Sequence, residues 1–156
     1  MPTALDFKLS PHFTWGEMTR TGQSALQDKN RAEAEQFKPA ITALCQTLME
    51  PVRMKFGPLR INSCFRGPAV NSAIGGSKTS QHMIGEACDF VPLDDKIALM
   101  TVVDWIRKES GLKWGQLINE HPGNSKWIHL SLGAPWRAAN NMQVLDFDGK
   151  SYTPIK

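Results

Sequence analysis

His82 and Asp89 stand seven positions apart, with Gly85 between them, in the stretch Ser-Lys-Thr-Ser-Gln-His-Met-Ile-Gly-Glu-Ala-Cys-Asp-Phe that runs from Ser77 to Phe90. An imidazole nitrogen and a carboxylate oxygen are both good ligands for a borderline metal ion such as zinc. Gly75 and Gly76 precede the stretch and the apolar pair Phe90-Val91 follows it. That context places His82 on a loop and Asp89 at or in a strand entering a core, with Gly85 free to turn the backbone back between them. Two protein ligands leave a metal site incomplete. A third is expected from far down the chain, and Trp127-Ile128-His129-Leu130 offers His129 on an alternating, strand-like segment. Two nitrogens and one oxygen leave a fourth position for water, which is the ligand count of a catalytic rather than a structural zinc.

Such ligands need rigid elements to hold them. From Asn30 to Phe56, the residues Phe37, Ile41, Leu44, Leu48, Val52 and Phe56 recur every three or four positions, so one apolar stripe of a long helix is predicted. Pro39 suits its first turn, Pro51 is a site for a kink, and Gly57-Pro58 ends it. Leu59–Ser63 reads as a short strand, and Pro68 to Ile74 as a second helix closed by Gly75-Gly76. A third helix is predicted from Asp94 to Glu109, capped by Asp94 or Asp95, with Ile97, Met100, Val103 (or Val102) and Ile106 buried and Gly111 at its C-terminus. Residues 114–120 and 126–132 read as two strands of a hairpin turning at His121-Pro122-Gly123-Asn124-Ser125. A further strand falls at 142–147, after which Asp148-Gly149 turns and the last residues fray. The fold class is α+β, with helices packed on a mostly antiparallel sheet. One domain is expected over 1–156. Within it, 1–26 form an extended lead and loop anchored by Phe7, Leu9, Phe13 and Trp15, and 27–156 form the core that carries the site.

The 156 residues, 41% of them hydrophobic, suffice for one buried core. A net charge of +3 suits approach to an anionic polymer such as a cell wall, yet falls short of the dense basic surface of a nucleic-acid binder. No apolar run approaches the roughly 18 residues of a membrane span, so no membrane insertion is expected. The first residues show neither a basic nor an apolar leader region, so cytoplasmic synthesis without a signal peptide is the expectation. Three cysteines, Cys45, Cys64 and Cys88, are an odd number without close spacing, and are read as reduced, buried thiols.

The pattern Ser80-x-His82-x-x-Gly85-x-Ala87-x-Asp89, followed by Trp127-x-His129, resembles the zinc site of the D-Ala-D-Ala metallocarboxypeptidase and L-Ala-D-Glu endopeptidase family. That family includes vancomycin-resistance dipeptidases and phage endolysins and shares its fold with hedgehog signalling domains. The likeness extends upstream through Glu50-Pro51-Val52-Arg53, Phe56-Gly57 and Asn62-Ser63-Cys64-Phe65-Arg66. Downstream it includes Gln116-Leu117-Ile118-Asn119-Glu120, and more loosely Leu9-Ser10-Pro11-His12-Phe13 near the N-terminus. The resemblance implies one catalytic zinc held by His82, Asp89 and His129, a monomer, and hydrolysis of peptide bonds in peptidoglycan stems, either by a phage-type endolysin that reaches the wall after holin-type release or by a cell-wall carboxypeptidase, of the D-Ala-D-Ala carboxypeptidase or the L-Ala-D-Glu endopeptidase type. The alternative is a non-catalytic zinc-binding module of the same fold, serving a virion or binding the wall.

Hydrolysis also needs a base. Many relatives carry an acidic residue three positions before the last histidine, where this chain has Lys126. Glu120 is the replacement, since it ends the strand paired with the Trp127–His129 strand; an exposed strand glutamate is the rival reading. His121 next door competes as ligand or proton carrier, although alternation points it to the other face. Arg66, between a strand and a helix, suits bidentate capture of a carboxylate. The resemblance assigns it to substrate binding with Ser80 as a second polar contact. Phe65 and Cys64 replace the Tyr and Gly of many relatives. His12 is left outside the site, Glu86 is a bystander by parity, and Trp127 and Trp136 are expected in the core rather than in the groove wall.

Overall fold

A computed structural model describes residues 1–136 and 141–156. The chain begins with a two-stranded ribbon, β1 (Lys8–Ser10) against β2 (Phe13–Thr14), and a one-turn helix, α1 (Trp15–Met18). The lead is therefore more structured than an extended loop. Leu9, Phe13, Trp15 and Met18 are buried, so three of the four expected anchors hold. Phe7 does not: it lies exposed, under the Lys38 ammonium 4.2 Å from its ring centroid.

The long helical stretch exists but is not uniform. It runs through α2 (Gln27–Ala34), a 3₁₀ turn at Glu35–Phe37, α3 (Lys38–Leu44), a π turn at Cys45–Met49 and α4 (Glu50–Phe56). Pro39 sits in the first turn of α3 and Pro51 in that of α4. Pro51 has no N–H for an i−4 carbonyl, and the wider π turn just before it absorbs that defect without ending the helix. The stripe is buried as expected at Ile41, Leu44, Leu48 and Val52. Gly57, at φ +81°, ends it.

Glu50 ties this helix to the N-terminal ribbon. Its Oε1 accepts from Ser10 Oγ at 2.9 Å and from the His12 amide at 2.8 Å, and its Oε2 lies 2.7 Å from His12 Nδ1. Burial opposes ionisation of Glu50, but the contacts from His12 and Ser10 prevail and lower its pKa. A depressed folded-state pKa contributes stability above the unfolded value and loses it as pH falls through the folded one. Glu50→Gln should therefore cost about 1–3 kcal/mol at neutral pH, and urea denaturation of both proteins should show the gap closing below roughly pH 4. An equal gap at both pH values would mean the carboxylate's charge plays no part.

The sheet has six strands in the order β3 (Leu59–Ser63), β4 (Ala87–Pro92), β6 (Trp127–Ser131), β5 (Gln116–Glu120), β7 (Gln143–Phe147), β8 (Tyr152–Pro154). All pairings are antiparallel except β5 with β7, so the fold class stands as α+β with a mostly antiparallel sheet. The β5–β6 hairpin lies where predicted. The tail does not fray, since residues after the Asp148-Gly149 turn pair with β7 as β8. Helix α5 (Pro68–Ala73) matches its prediction, but α6 covers only Leu99–Lys108. Asp94 caps a local turn instead of the helix: its Oδ1 accepts from the Lys96 amide, and its carbonyl from Ile97. Ala98, extended, then precedes the first turn.

One face of the sheet, with Ile61, Cys88, Phe90, Leu117, Ile128 and Leu130, is buried in the core with the helices. Cys45, Cys64 and Cys88 are buried free thiols, and Cys88 lies against Cys64. Alternation sends every second strand residue to the opposite face, where the polar chemistry collects. No helix among the described residues is long and apolar enough to cross a membrane.

Candidate metal centre and groove

Strand register brings the site together. Across the open face, one row reads Ser63 (β3), Asp89 (β4), His129 (β6), Ile118 (β5), Leu145 (β7) and Pro154 (β8). Asp89 and His129, 40 residues apart in sequence, are thus direct cross-strand neighbours, and His129 Nδ1 lies 3.0 Å from Asp89 Oδ1. His82 arrives from outside the sheet on a 3₁₀ turn, Gln81–Ile84, with its Nε2 3.3 Å from Asp89 Oδ2. Ser80 caps that turn, accepting from the His82 amide. Gly85 closes it at φ +72°, where a side chain would collide with Ile41. One ligand atom from each of His82, Asp89 and His129 lies within 4.8 Å of the other two.

The protonation pattern calls for a cation at their centre. His82 Nδ1 is 2.7 Å from the carbonyl of Cys64. A carbonyl can only accept, so Nδ1 carries the hydrogen, and burial, against the pull of Asp89, lowers the pKa of the ring. In the neutral ring Nε2 then points a lone pair at Asp89. Burial disfavours the Asp89 carboxylate, but His82 and His129 outweigh it and hold its pKa well below the usual range. A lone pair facing a carboxylate is repulsive unless a positive charge sits between them. The outer nitrogen of His129 meets Gln81 Oε1 at 3.4 Å. Each imidazole is therefore steered by an oxygen behind it, as metal-binding histidines commonly are.

The next row of the same face carries Glu120 (β5) opposite Trp127 (β6), then Phe147 (β7) and Tyr152 (β8). Trp127 Nε1 donates to Glu120 Oε2 at 2.8 Å. Burial first, then the charge of Asp89, raise the Glu120 pKa. Together with the three clustered residues, Glu120, Trp127, Arg66 and Ser80 line one cavity of about 440 Å³, a volume typical of a small-ligand site. Arg66 Nη2 donates to Ser80 Oγ at 3.4 Å, while its buried Nε has no hydrogen-bond partner. Burial lowers its pKa against the attraction of Asp89 and Glu120. An unpaired buried guanidinium nitrogen beside an open cavity suits an incoming anion.

Several residues fall elsewhere. Lys126 is exposed and does not line this cavity. His121 pairs with Asp146, Nε2 to Oδ2 at 2.7 Å, and His12 with Glu50. Glu86 is buried away from the groove. Trp127 belongs to the groove wall and Trp136 is exposed, so neither is a core residue; Trp127 points from the open face of the sheet, and Trp136 lies in a turn beyond β6. Tyr152 and Gln81 were not foreseen. The signal for Tyr152 was available, because a strand-prone Tyr-Thr pair follows the Asp148-Gly149 turn after two residues.

A family model described as Peptidase M15 matches residues 11–131. No curated protein matches the chain.

Proposed function

Because the chain belongs to the peptidase M15 family, a metallopeptidase family, we propose that it is a zinc-dependent hydrolase of peptide bonds in bacterial peptidoglycan stems, acting as a phage-type lysin at the cell wall. The observation that carries this reading is the convergence of His82, Asp89 and His129 in one cavity with Glu120 and Arg66. His82 Nε2, a carboxylate oxygen of Asp89 and His129 Nδ1 would hold the metal. The chemistry zinc supplies at such a site is Lewis acidity, which acidifies water toward neutrality and makes a carbonyl more electrophilic.

The chain supplies the proton transfers. Trp127 occupies Oε2 of Glu120, which leaves Oε1 to take the proton of the attacking water and pass it to the departing amine. Burial of Glu120 in the groove disfavours the carboxylate and so raises its affinity for the proton it must accept and return. A wall-binding module would need no base beside its metal, so the position of Glu120 favours the enzyme. The deciding experiment is mass spectrometry of purified muropeptides incubated with the zinc-loaded protein. New fragments are expected; unchanged stems would sink the reading.

Arg66 grips a carboxylate of the stem. Arg66→Ala should lower kcat/KM on carboxylate-bearing stem peptides by about 2–4 kcal/mol of transition-state binding, with zinc content unchanged. A variant with a markedly lower Tm whose folded fraction keeps its kcat/KM would instead make Arg66 a structural residue.

A further inference from the structure

Residues beyond 131 lie outside the segment that matches the family model, yet they complete the groove. Strand β7 pairs in parallel with β5, and β8 turns back along β7. His121 and Asn119 of the β5 end hold β7 through Asp146, at 2.7 and 3.0 Å. This attachment delivers the single tyrosine of the chain, Tyr152, to the row that contains Glu120 and to the wall of the same cavity. Its ring stacks on Phe147 with centroids 4.3 Å apart, which fixes the side chain although 57% of it is exposed. An aromatic held rigidly in the open, with one face against its neighbour and the rest toward a cavity, is a contact surface without its occupant.

The spacing of the sheet sets the reach of that surface. Arg66 follows β3 at one edge, and Tyr152 lies on β8 at the other. Three strand spacings separate β8 from β6, which carries His129; at about 4.8 Å each they span roughly 14 Å. An extended peptide advances about 3.3 Å per residue, so the distance corresponds to roughly four residues. We infer that the groove binds a stem peptide with its carboxylate-bearing end at Arg66 and several further residues running from the metal centre to Tyr152, and that a free dipeptide fills only part of it. This rests on the peptidase reading and adds a length requirement to it. Tyr152 is a positioning residue, remote from the reacting bond.

The test is binding, measured by calorimetry on zinc-loaded Glu120→Gln protein to avoid turnover. The probes are a stem pentapeptide and the free dipeptide of its last two residues. The pentapeptide should bind at least tenfold more tightly. Adding Tyr152→Ala should weaken pentapeptide binding roughly five- to tenfold, as loss of an aromatic contact does, so that the ratio of the two affinities falls. Tyr152→Phe keeps the stack on Phe147 and should keep the ratio, which separates loss of contact from disturbance of β8. In the wild-type background the length preference should appear in KM rather than kcat. Equal affinities for the two peptides, or a ratio unmoved by Tyr152→Ala, would overturn the inference even if the wild-type protein hydrolyses stems. If neither peptide is hydrolysed, the peptidase reading falls, and the binding ratio still decides how far the groove reaches.

Discussion

His82→Ala should lower bound zinc from one ion per chain to a small fraction, and hydrolysis of stem peptides by on the order of 10³ or more, because electrophilic assistance disappears with the ion. Of the three proposed ligands, His82 is the one that the sheet does not supply. Its ring is held between the Cys64 carbonyl and the Asp89 carboxylate, so alanine there removes the nitrogen aimed at the centre of the cluster. The variant should also lose the stabilisation that metal binding lends to the fold, since a site absent from the unfolded chain converts binding energy into folding energy. Two melting experiments separate the contributions. Chelation should lower the Tm of the wild-type protein and leave the variant unmoved. The remaining gap between the chelated proteins should be about 1–3 kcal/mol, the cost of stranding a buried carbonyl without its donor. Elemental analysis that finds one zinc per chain in His82→Ala would refute the ligand assignment.

Glu120→Gln should reduce turnover by roughly 10²–10⁴, the usual worth of a positioned general base, while zinc content and Tm change little. Glutamine keeps the shape and can still accept from Trp127 Nε1, but it cannot take a proton from water. The loss should fall on kcat, because the group acts in the transition state. Two controls mark the boundary of the effect. Lys126→Ala changes an exposed residue outside the cavity, and His121→Asn changes one committed to Asp146; both should retain turnover within a few-fold. Wild-type rates in Glu120→Gln would remove the base, and a large loss of kcat in His121→Asn with KM unchanged would transfer the role to that histidine.

Much of this arrangement was legible in the residues. Helical periodicity from Phe37 to Phe56 survives in the structure because burying one stripe is a local property of spacing, which the π turn before Pro51 bends without rotating away. The β5–β6 hairpin was legible because its turn residues and both alternating arms are contiguous. His82, Gly85 and Asp89 were recognisable as a group because a 3₁₀ turn and the strand after it separate them by a short, fixed path. Where a reading failed, a competing contact or an uncovered face decided the outcome. Asp94 has the chemistry of a helix cap, but an amide two residues on claimed it first. Trp127 has the size of a core residue, but the face it points from is the one the helices do not cover.

By itself the sequence determined residue type and parity: which side chains can ligate a metal, and which strand residues share a face. Parity repeats every two residues, so it says that His129, Trp127 and Ser131 point the same way without saying what lies beside them. Register supplied the rest. Only the pairing of β4 with β6 set Asp89 against His129, and only the hairpin register put Glu120 opposite Trp127. The parallel addition of β7, with β8 folded back on it, carried Tyr152 into the groove, although its segment was expected to fray. The β4–β6 and β5–β7 pairings join segments distant in the chain and are chosen by the packing of the whole sheet on its helices, a cooperative term that no short window of residues contains.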